Sequence, residues 1–234
     1  MAIKTNLSGS GVSSSAANFL LNSNFEVSQL MGITFGENGS GGFNTANGTS
    51  LYTFDQWFHR NSLGTNSQLF GGRSTTGLSF MEVHVATAPT AAFNATGMEL
   101  CQVLSNNASL MLINQTASFS ILVKALGNIN QVGIQFIYAT TEVKPTLTIG
   151  SEVLTTVNSS TFTLCSINGQ ALGSLMTTAG VVGIRIRATG ASTGNVYDIN
   201  NGFIVNQAMM NLGSTVAPYQ RRHANGGAEI EELQ

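Results

Sequence analysis

The segment "TASFSILVKAL", residues 116–126, indicates the fold class of this chain. Phe119, Ile121, Val123 and Ala125 fall on one face of an extended segment, which is the two-residue period of a β-strand and not the 3.6-residue period of a helix. The opposite face is mixed, since Leu122 lies between a serine and a lysine. We therefore expect a strand with one face in the core and the other partly covered by a neighbouring element or a second subunit.

The same period returns along most of the chain. Further predicted strands are "LSFMEVHV" (78–85), "MELCQVL" (98–104), "QVGIQFIY" (131–138), "TLTIG" (146–150), "TFTLC" (161–165), "VVGIRIRA" (181–188) and "GFIVNQAMM" (202–210). Turn-rich segments such as "SNNAS" (105–109) and "TGASTGN" (189–195) separate them. The one helical alternative is a short turn near "FDQWFHRN" (54–61). Many short strands joined by turns predict an all-β protein, a single jelly-roll β-sandwich.

The composition indicates a nearly uncharged surface. Of the 234 residues, 42% are hydrophobic and 9% are charged, and the net charge is -2. Soluble domains carry about 25% charged residues, so self-repulsion is weak here and we expect an oligomer. The nine basic residues are scattered, which argues against nucleic-acid binding. Arg185 and Arg187 alternate with apolar residues, and we expect them on the solvated face of a strand.

Three segments are predicted from changes in composition. Residues 1–17 are small and polar and predict an extended N-terminal arm; residues 18–219 form the β-sandwich; residues 220–234 form a polar C-terminal tail. No signal peptide is recognised, and no apolar run approaches the roughly 20 residues that span a bilayer, so we expect synthesis and folding in a cytoplasm.

Cys101 and Cys165 lack the spacing of a metal site and are predicted to be buried free thiols.

Four motifs, in this order along the chain, resemble a known family. They are "NFLLNSNFEVSQ" (18–29), "YTFDQW" (52–57), "MELCQVLSNNASLMLINQTASFSILVKA" (98–125) and "NLGSTVAPYQRR" (211–222). Their layout resembles a β-sandwich domain of tailed-bacteriophage virion proteins, which is itself similar to carbohydrate-binding modules of the galactose-binding jelly-roll type. Gln56 stands where that family usually has Arg, and Ala217 stands where Thr is common. These departures imply a truncated or specialised relative.

The resemblance implies a structural protein of the virion, assembled in the host cytoplasm. Proteins of this kind are usually homotrimers that contact other capsid or tail proteins, so the expected function is a non-enzymatic capsid decoration, head fibre, tail fibre or adaptor attached through the N-terminal arm. The alternative from another class is an adhesin that binds host cell-surface glycans. A polysaccharide depolymerase is a third alternative.

Tyr52, Trp57 and His59 surround the only tryptophan of the chain and have two interpretations. Sugars stack on the faces of aromatic rings, so these side chains are candidates for a glycan platform. The alternation in "LYTFDQWF" (51–58) also fits a packed strand, and a lone tryptophan in a chain with few aromatic residues is more often part of the core. We favour the core.

Glu26 is a candidate ligand for calcium. In the carbohydrate-binding modules that "NSNFEV" (22–27) resembles, the carboxylate after the phenylalanine helps to hold a structural calcium together with an acidic residue of the last strand. Calcium requires six or more oxygen ligands, and here the last strand carries the neutral Asn206 at the matching position. Capping of a turn or strand end is therefore the expected role of Glu26, and no cofactor is predicted.

No recognisable catalytic arrangement occurs in the sequence. His59 follows Asp55 by four residues and His84 follows Glu82 by two, yet neither histidine has a serine or cysteine in a nucleophile motif. We expect both histidines to make hydrogen bonds at the surface. The chain is therefore predicted not to be an enzyme.

Overall fold

A computed structural model describes residues 17–21, 23, 25, 42–46, 50–54, 57–61, 68–73, 80–87, 97–141, 145–173 and 180–220. Its elements are, in chain order, β1 (Gly42–Ala46), β2 (Ser50–Phe54), β3 (Trp57–Asn61), β4 (Gln68–Arg73), β5 (Met81–Thr87), β6 (Met98–Val103), α1 (Asn106–Leu110), β7 (Thr116–Leu126), β8 (Ile129–Ala139), β9 (Leu147–Thr156), β10 (Thr163–Ala171), β11 (Val181–Ala191) and β12 (Gly202–Leu212).

These strands form two antiparallel sheets of six strands each. Sheet 1 has the order β1-β4-β5-β12-β7-β10, and sheet 2 has the order β2-β3-β6-β11-β8-β9. Strands that follow one another in the chain often belong to different sheets, so the chain crosses repeatedly between the two layers. The predicted β-sandwich is confirmed.

The alternation in the segments that form β7 and β8 places the core between the sheets. All four apolar residues on the predicted inner face of β7 are fully buried, as are Val132, Ile134 and Phe136 of β8. Fully burying a large aliphatic or aromatic side chain contributes about 1.5–3 kcal/mol. Because one-residue slips would turn these side chains to the surface, the alternation also fixes the register of the strands.

The helical segment lies elsewhere than expected. The "FDQWFHRN" segment, for which a short helical turn was the alternative, forms strand β3 at Trp57–Asn61, and its residues 55 and 56 lie outside the described residues. The helix of the described chain is α1, in a segment predicted as a turn. The Ser105 side chain begins it by accepting a hydrogen bond from the Ala108 backbone N–H at 3.3 Å, the usual role of a serine N-cap.

The two ends of the described chain meet at Asn18. Its Nδ2 donates to the carbonyl oxygens of Ala208 and Gln220, both at 2.9 Å, and its Oδ1 accepts from the Met210 backbone N–H at 3.0 Å. Asn18 is 3% exposed, so these bonds are shielded from water. The predicted arm (1–17) and tail (220–234) lie outside the described residues except for residues 17 and 220.

Both cysteines are buried and unbonded to each other, as predicted. Burial raises the pKa of the Cys165 thiol to about 11, so the thiol stays protonated at neutral pH. A membrane-spanning helix is not found in the described ranges, where the helix α1 has five residues.

Candidate functional site

Trp57 lies in the core between the two sheets. Its side chain has no solvent exposure, and its ring centroid is 4.8 Å from that of Phe25, which is also fully buried. Phe25 has a φ of +59°, a conformation that is strained for a residue with a side chain. Packing against the tryptophan supports that backbone conformation. In this structure Trp57 therefore offers no face on which a sugar could stack.

His59 is also fully buried, and the prediction of a surface hydrogen bond was wrong for this residue. Neither ring nitrogen has a hydrogen-bond partner in the described chain. Burial, with a smaller contribution from the charge of His84, lowers the pKa of His59 to about 3. The ring is therefore neutral at physiological pH. His84 does behave as predicted: its Nδ1 lies 2.7 Å from Glu82 Oε1 at the protein surface.

Two of the remaining candidates from the sequence lie wholly or partly outside the described residues. Tyr52 lies in β2, with its backbone opposite Phe58, but its side chain lies outside the described residues, as does the whole of Glu26. Asn206 is 5% exposed. Within the described ranges, no group of three or more His, Cys, Asp or Glu side chains could hold a metal ion.

A different set of polar residues converges on the outer face of sheet 2. The strand register places Arg60 of β3 opposite Glu99 of β6, and Glu99 opposite Arg187 of β11. Arg185 lies two residues away on the same face of β11, and Glu152 of β9 extends towards both arginines. We call these five residues the guanidinium ladder. Three arginines and two glutamates from four strands thus extend across the sheet from β3 to β9.

Glu99 is shared by two guanidinium groups. Its Oε2 accepts from Arg60 Nε, and its Oε1 accepts from Arg185 Nη1 at 3.0 Å. The Glu99 side chain is 1% exposed, so water contributes little to its solvation. Charged hydrogen bonds are needed to offset that loss.

Arg185 and Arg187 continue the ladder towards β9. Arg185 Nη2 donates to Gln135 Oε1 at 2.7 Å and lies 3.8 Å from Glu152 Oε1. Arg187 holds Glu152 by two hydrogen bonds of 2.6 Å, from Nε and Nη2. This bidentate hydrogen bonding raises the pKa of Arg187, which keeps the guanidinium charged. The prediction of a solvated face was wrong for Arg185, which is 8% exposed because its neighbours enclose it.

Gly133 opens space for this arrangement. It lies opposite Arg187 on one side and Leu154 on the other. A Cβ atom at Gly133 would come within 2.5 Å of the Glu152 carboxyl group. The absence of a side chain therefore lets Glu152 lie flat across the sheet to reach Arg187. Leu154 is 53% exposed and adds an apolar surface beside the ladder.

The ladder is bounded on one side by buried residues. Phe58, Cys101 and Ile137 form a small apolar cluster on the same face of sheet 2, and all three are fully buried. The Pro145 carbonyl oxygen accepts from Arg60 Nη1 at 2.8 Å, so the segment before β9 borders the ladder as well. The ladder is thus a partly enclosed polar strip.

Sequence reasoning missed this strip. Arg60, Glu99, Gln135 and Arg187 belong to four different strands, and their proximity depends on the order of those strands in the sheet. A signal was nevertheless present, because each of these residues occupies a position that alternates with core residues. Charged or amide side chains at outward positions of several strands are the pattern that would have identified it.

Comparisons with known proteins concern the fold. No protein-family model and no curated protein matches the chain. A solved structure of a candidate sugar binding protein from Bacteroides thetaiotaomicron is similar, with a TM-score of 0.51 and 10% identity over 83% of this chain and 99% of that one. A family 4 carbohydrate-binding module gives a TM-score of 0.48 and 9% identity over 68% and 87%. A family 11 module from Clostridium thermocellum, in complex with a β-1,3-1,4-mixed-linked tetrasaccharide, gives 0.42 and 10% over 76% and 98%.

The similarity to the candidate sugar binding protein confirms the predicted fold class. The chain is a jelly-roll β-sandwich of two antiparallel sheets. At 10% identity the likeness extends to the fold and not to individual residues, and a shared fold does not determine function.

Proposed function

We propose that this chain is a non-catalytic carbohydrate-binding domain that binds a glycan on the outer face of sheet 2. The observation that carries the proposal is the guanidinium ladder, a partly enclosed strip of planar polar groups on a rigid sheet. Sugar hydroxyl groups both donate and accept hydrogen bonds. Guanidinium groups can donate to them, carboxylates can accept from them, and amides can do both.

The ladder is already ordered before a ligand arrives. Glu99 fixes Arg60 and Arg185, and Gln135 accepts from Arg185 as well. Side chains held in this way lose little conformational entropy on binding. The exposed Leu154 adds an apolar contact for the C–H face of a sugar ring. Both features favour a binding surface.

Non-catalytic binding also agrees with how the two carboxylates are used. Glu99 and Glu152 are bonded to guanidinium groups, whereas glycoside hydrolysis requires one carboxyl group as a proton donor and a second as base or nucleophile. The likeness to a candidate sugar binding protein supports the same function.

The test is calorimetric titration of the whole chain with a panel of soluble polysaccharides and their oligosaccharides. The double variant Arg187→Gln with Glu152→Gln removes one ion pair and leaves the net charge of the ladder unchanged, and it should weaken binding by about tenfold or more. Lys124→Gln, on the outer face of sheet 1, is the control and should bind as the wild type does. Unchanged affinity in the double variant would exclude this face, and a lack of binding to every glycan would exclude the function.

A second candidate is the one that the sequence resemblance implies: a homotrimeric structural protein of a tailed-phage particle. An observation on sheet 1 supports its subunit contact: Leu164 of the edge strand β10 is 57% exposed and lies opposite the half-buried Leu122. Apolar side chains at a sheet edge suit contact with another subunit. Sedimentation at several concentrations should then show a trimer that Leu164→Gln weakens. A monomer at all concentrations would count against this candidate.

A further inference from the structure

The charges of the guanidinium ladder do not balance. Its three arginines and two glutamates leave a net charge of +1 among the residues that the structure describes. Since the whole chain has a net charge of -2, this excess is local and does not reflect a generally basic protein. Partly buried charges that lack a counter-charge are costly, so the strip favours an anionic ligand.

The excess lies at the Arg60 end of the ladder. Glu152 accepts two hydrogen bonds from Arg187 and also lies 3.8 Å from Arg185. Among the described residues, Arg60 pairs with Glu99 alone, and Glu99 pairs with Arg185 as well. Gln135, which accepts the other terminal nitrogen of Arg185, is neutral. Arg60 therefore shares its one described carboxylate with Arg185, which has a second carboxylate within reach.

Both of these arginines retain unused donors. Arg185 is 8% exposed, yet its Nε has no hydrogen-bond partner in the described chain. Within the described part of the chain, Arg60 donates from Nε to Glu99 and from Nη1 to Pro145, no bond from Nη2 is found, and the side chain is 19% exposed. A buried donor without a partner is uncommon and destabilising. It is also what a ligand site contains before the ligand binds.

We infer that the ligand is an acidic glycan, whose uronic-acid carboxylate binds at Arg60 while neighbouring hydroxyl groups contact the rest of the ladder. The inference rests on the proposed function and adds the class of sugar. A carboxylate is planar and matches the donors of a guanidinium group. It also supplies the third negative charge, which a neutral sugar cannot do.

The matched probes are oligogalacturonate and oligomannuronate, each beside its own methyl ester. The ester keeps the ring and its hydroxyl groups and removes the charge. Titration of the wild-type chain should give an affinity for one of the acids about tenfold or more above that for its ester. Equal affinity for acid and ester would overturn the inference and leave the proposed function standing.

Arg60→Gln tests where the carboxylate binds. It leaves Glu99 and Arg185 as a neutral pair, so the preference for the acid over the ester should disappear. The control is again Lys124→Gln, which lowers the net charge by the same amount on the other sheet and should keep the preference. A preference that survives Arg60→Gln would overturn the assignment to this end of the ladder. If no uronic-acid oligosaccharide binds to the wild type, the inference fails. In that case, binding of neutral xylan or mixed-linked glucan oligosaccharides would keep the proposed function, and a lack of that binding would remove it too.

Discussion

Strand β3 contributes to two very different regions of the molecule. Trp57 and His59 point into the core between the sheets, while Phe58 and Arg60 lie on the outer face of sheet 2. The inward region contains the rarest residue of the chain and has no exposed surface. The outward region contains charged residues that bond to one another, and Arg60 keeps partial contact with solvent, its side chain being 19% exposed. The rarest residue of the sequence, Trp57, therefore lies in the core. The candidate site is defined instead by where its residues lie in the sheet.

The largest expected effect comes from Trp57→Ala on the inward side of β3. Because the ring is fully buried against Phe25, its removal should lower the free energy of unfolding by about 3–5 kcal/mol. Leu164→Ala, which truncates an exposed leucine, is the control and should cost less than about 1 kcal/mol. Chemical denaturation measures both. If the Trp57→Ala protein kept its stability and lost glycan binding, the result would favour the interpretation of Trp57 as part of a glycan platform.

The next effect concerns Glu99 on the outward side. Glu99→Gln keeps the shape of the side chain but leaves Arg60 and Arg185 without their shared carboxylate. We expect a loss of about 3 kcal/mol in unfolding free energy, at the lower end of the range for a broken buried pair, because Arg60 keeps contact with solvent. Glu82→Gln, at the surface of sheet 1, should change stability by about 1 kcal/mol or less. Equal effects of the two substitutions would show that the ladder is an ordinary surface network.

His59 predicts a dependence of stability on pH. Its folded-state pKa of about 3 lies below the ordinary value of 6.5, so between these pH values the unfolded chain binds a proton that the folded chain does not. The stabilising contribution is complete above pH 6.5 and is lost as the pH falls towards 3, by about 2 kcal/mol at pH 5.

His59→Leu separates this contribution from that of the acidic residues. The variant should lose less stability than the wild type between pH 7 and pH 5, as measured by denaturation at each pH. Identical pH dependence in the two proteins would mean that His59 is not buried in its neutral form.

The smallest expected effect comes from Gly133→Ala, which adds one methyl group on β8 where the Glu152 side chain crosses the sheet. The new methyl group would meet the Glu152 carboxyl group, and Glu152 would have to move away from Arg187. Stability should change by less than about 1 kcal/mol, since alanine is also the better residue in a strand. Glycan affinity should fall about threefold, as titration would show. An unchanged affinity would place the bound sugar away from β8.

The sequence was sufficient for the fold and insufficient for the site, for a physical reason. Burial of one face of each strand produces a local two-residue period, and the alternation in β7 and β8 can be read without knowing their neighbours. The bond between Arg185 and Glu99 joins residues of separate strands that meet only when β6 and β11 pair. Alternation predicted the outward position of Arg185 correctly, but not the enclosure that left it 8% exposed.

The α1 segment was predicted as a turn from its local composition, and this prediction failed. Its residues, "NNASL", read as a turn because asparagine and serine favour turns. The preceding Ser105 is also a good helix N-cap. Contacts with β11, including the hydrogen bond from the Val182 backbone N–H to Ser109 Oγ at 3.0 Å, support the helix in the folded protein. Such contacts are not visible in a local sequence pattern.

The most direct test of glycan binding on the outer face is an NMR titration that follows the arginine Nε–H signals and the indole N–H signal of Trp57 in one sample. With an oligosaccharide that binds, the signals of Arg60, Arg185 and Arg187 should shift and saturate, while that of Trp57 stays in place. A saturable shift of the Trp57 signal with unmoved arginine signals would contradict the account and return the site to the inward side of β3.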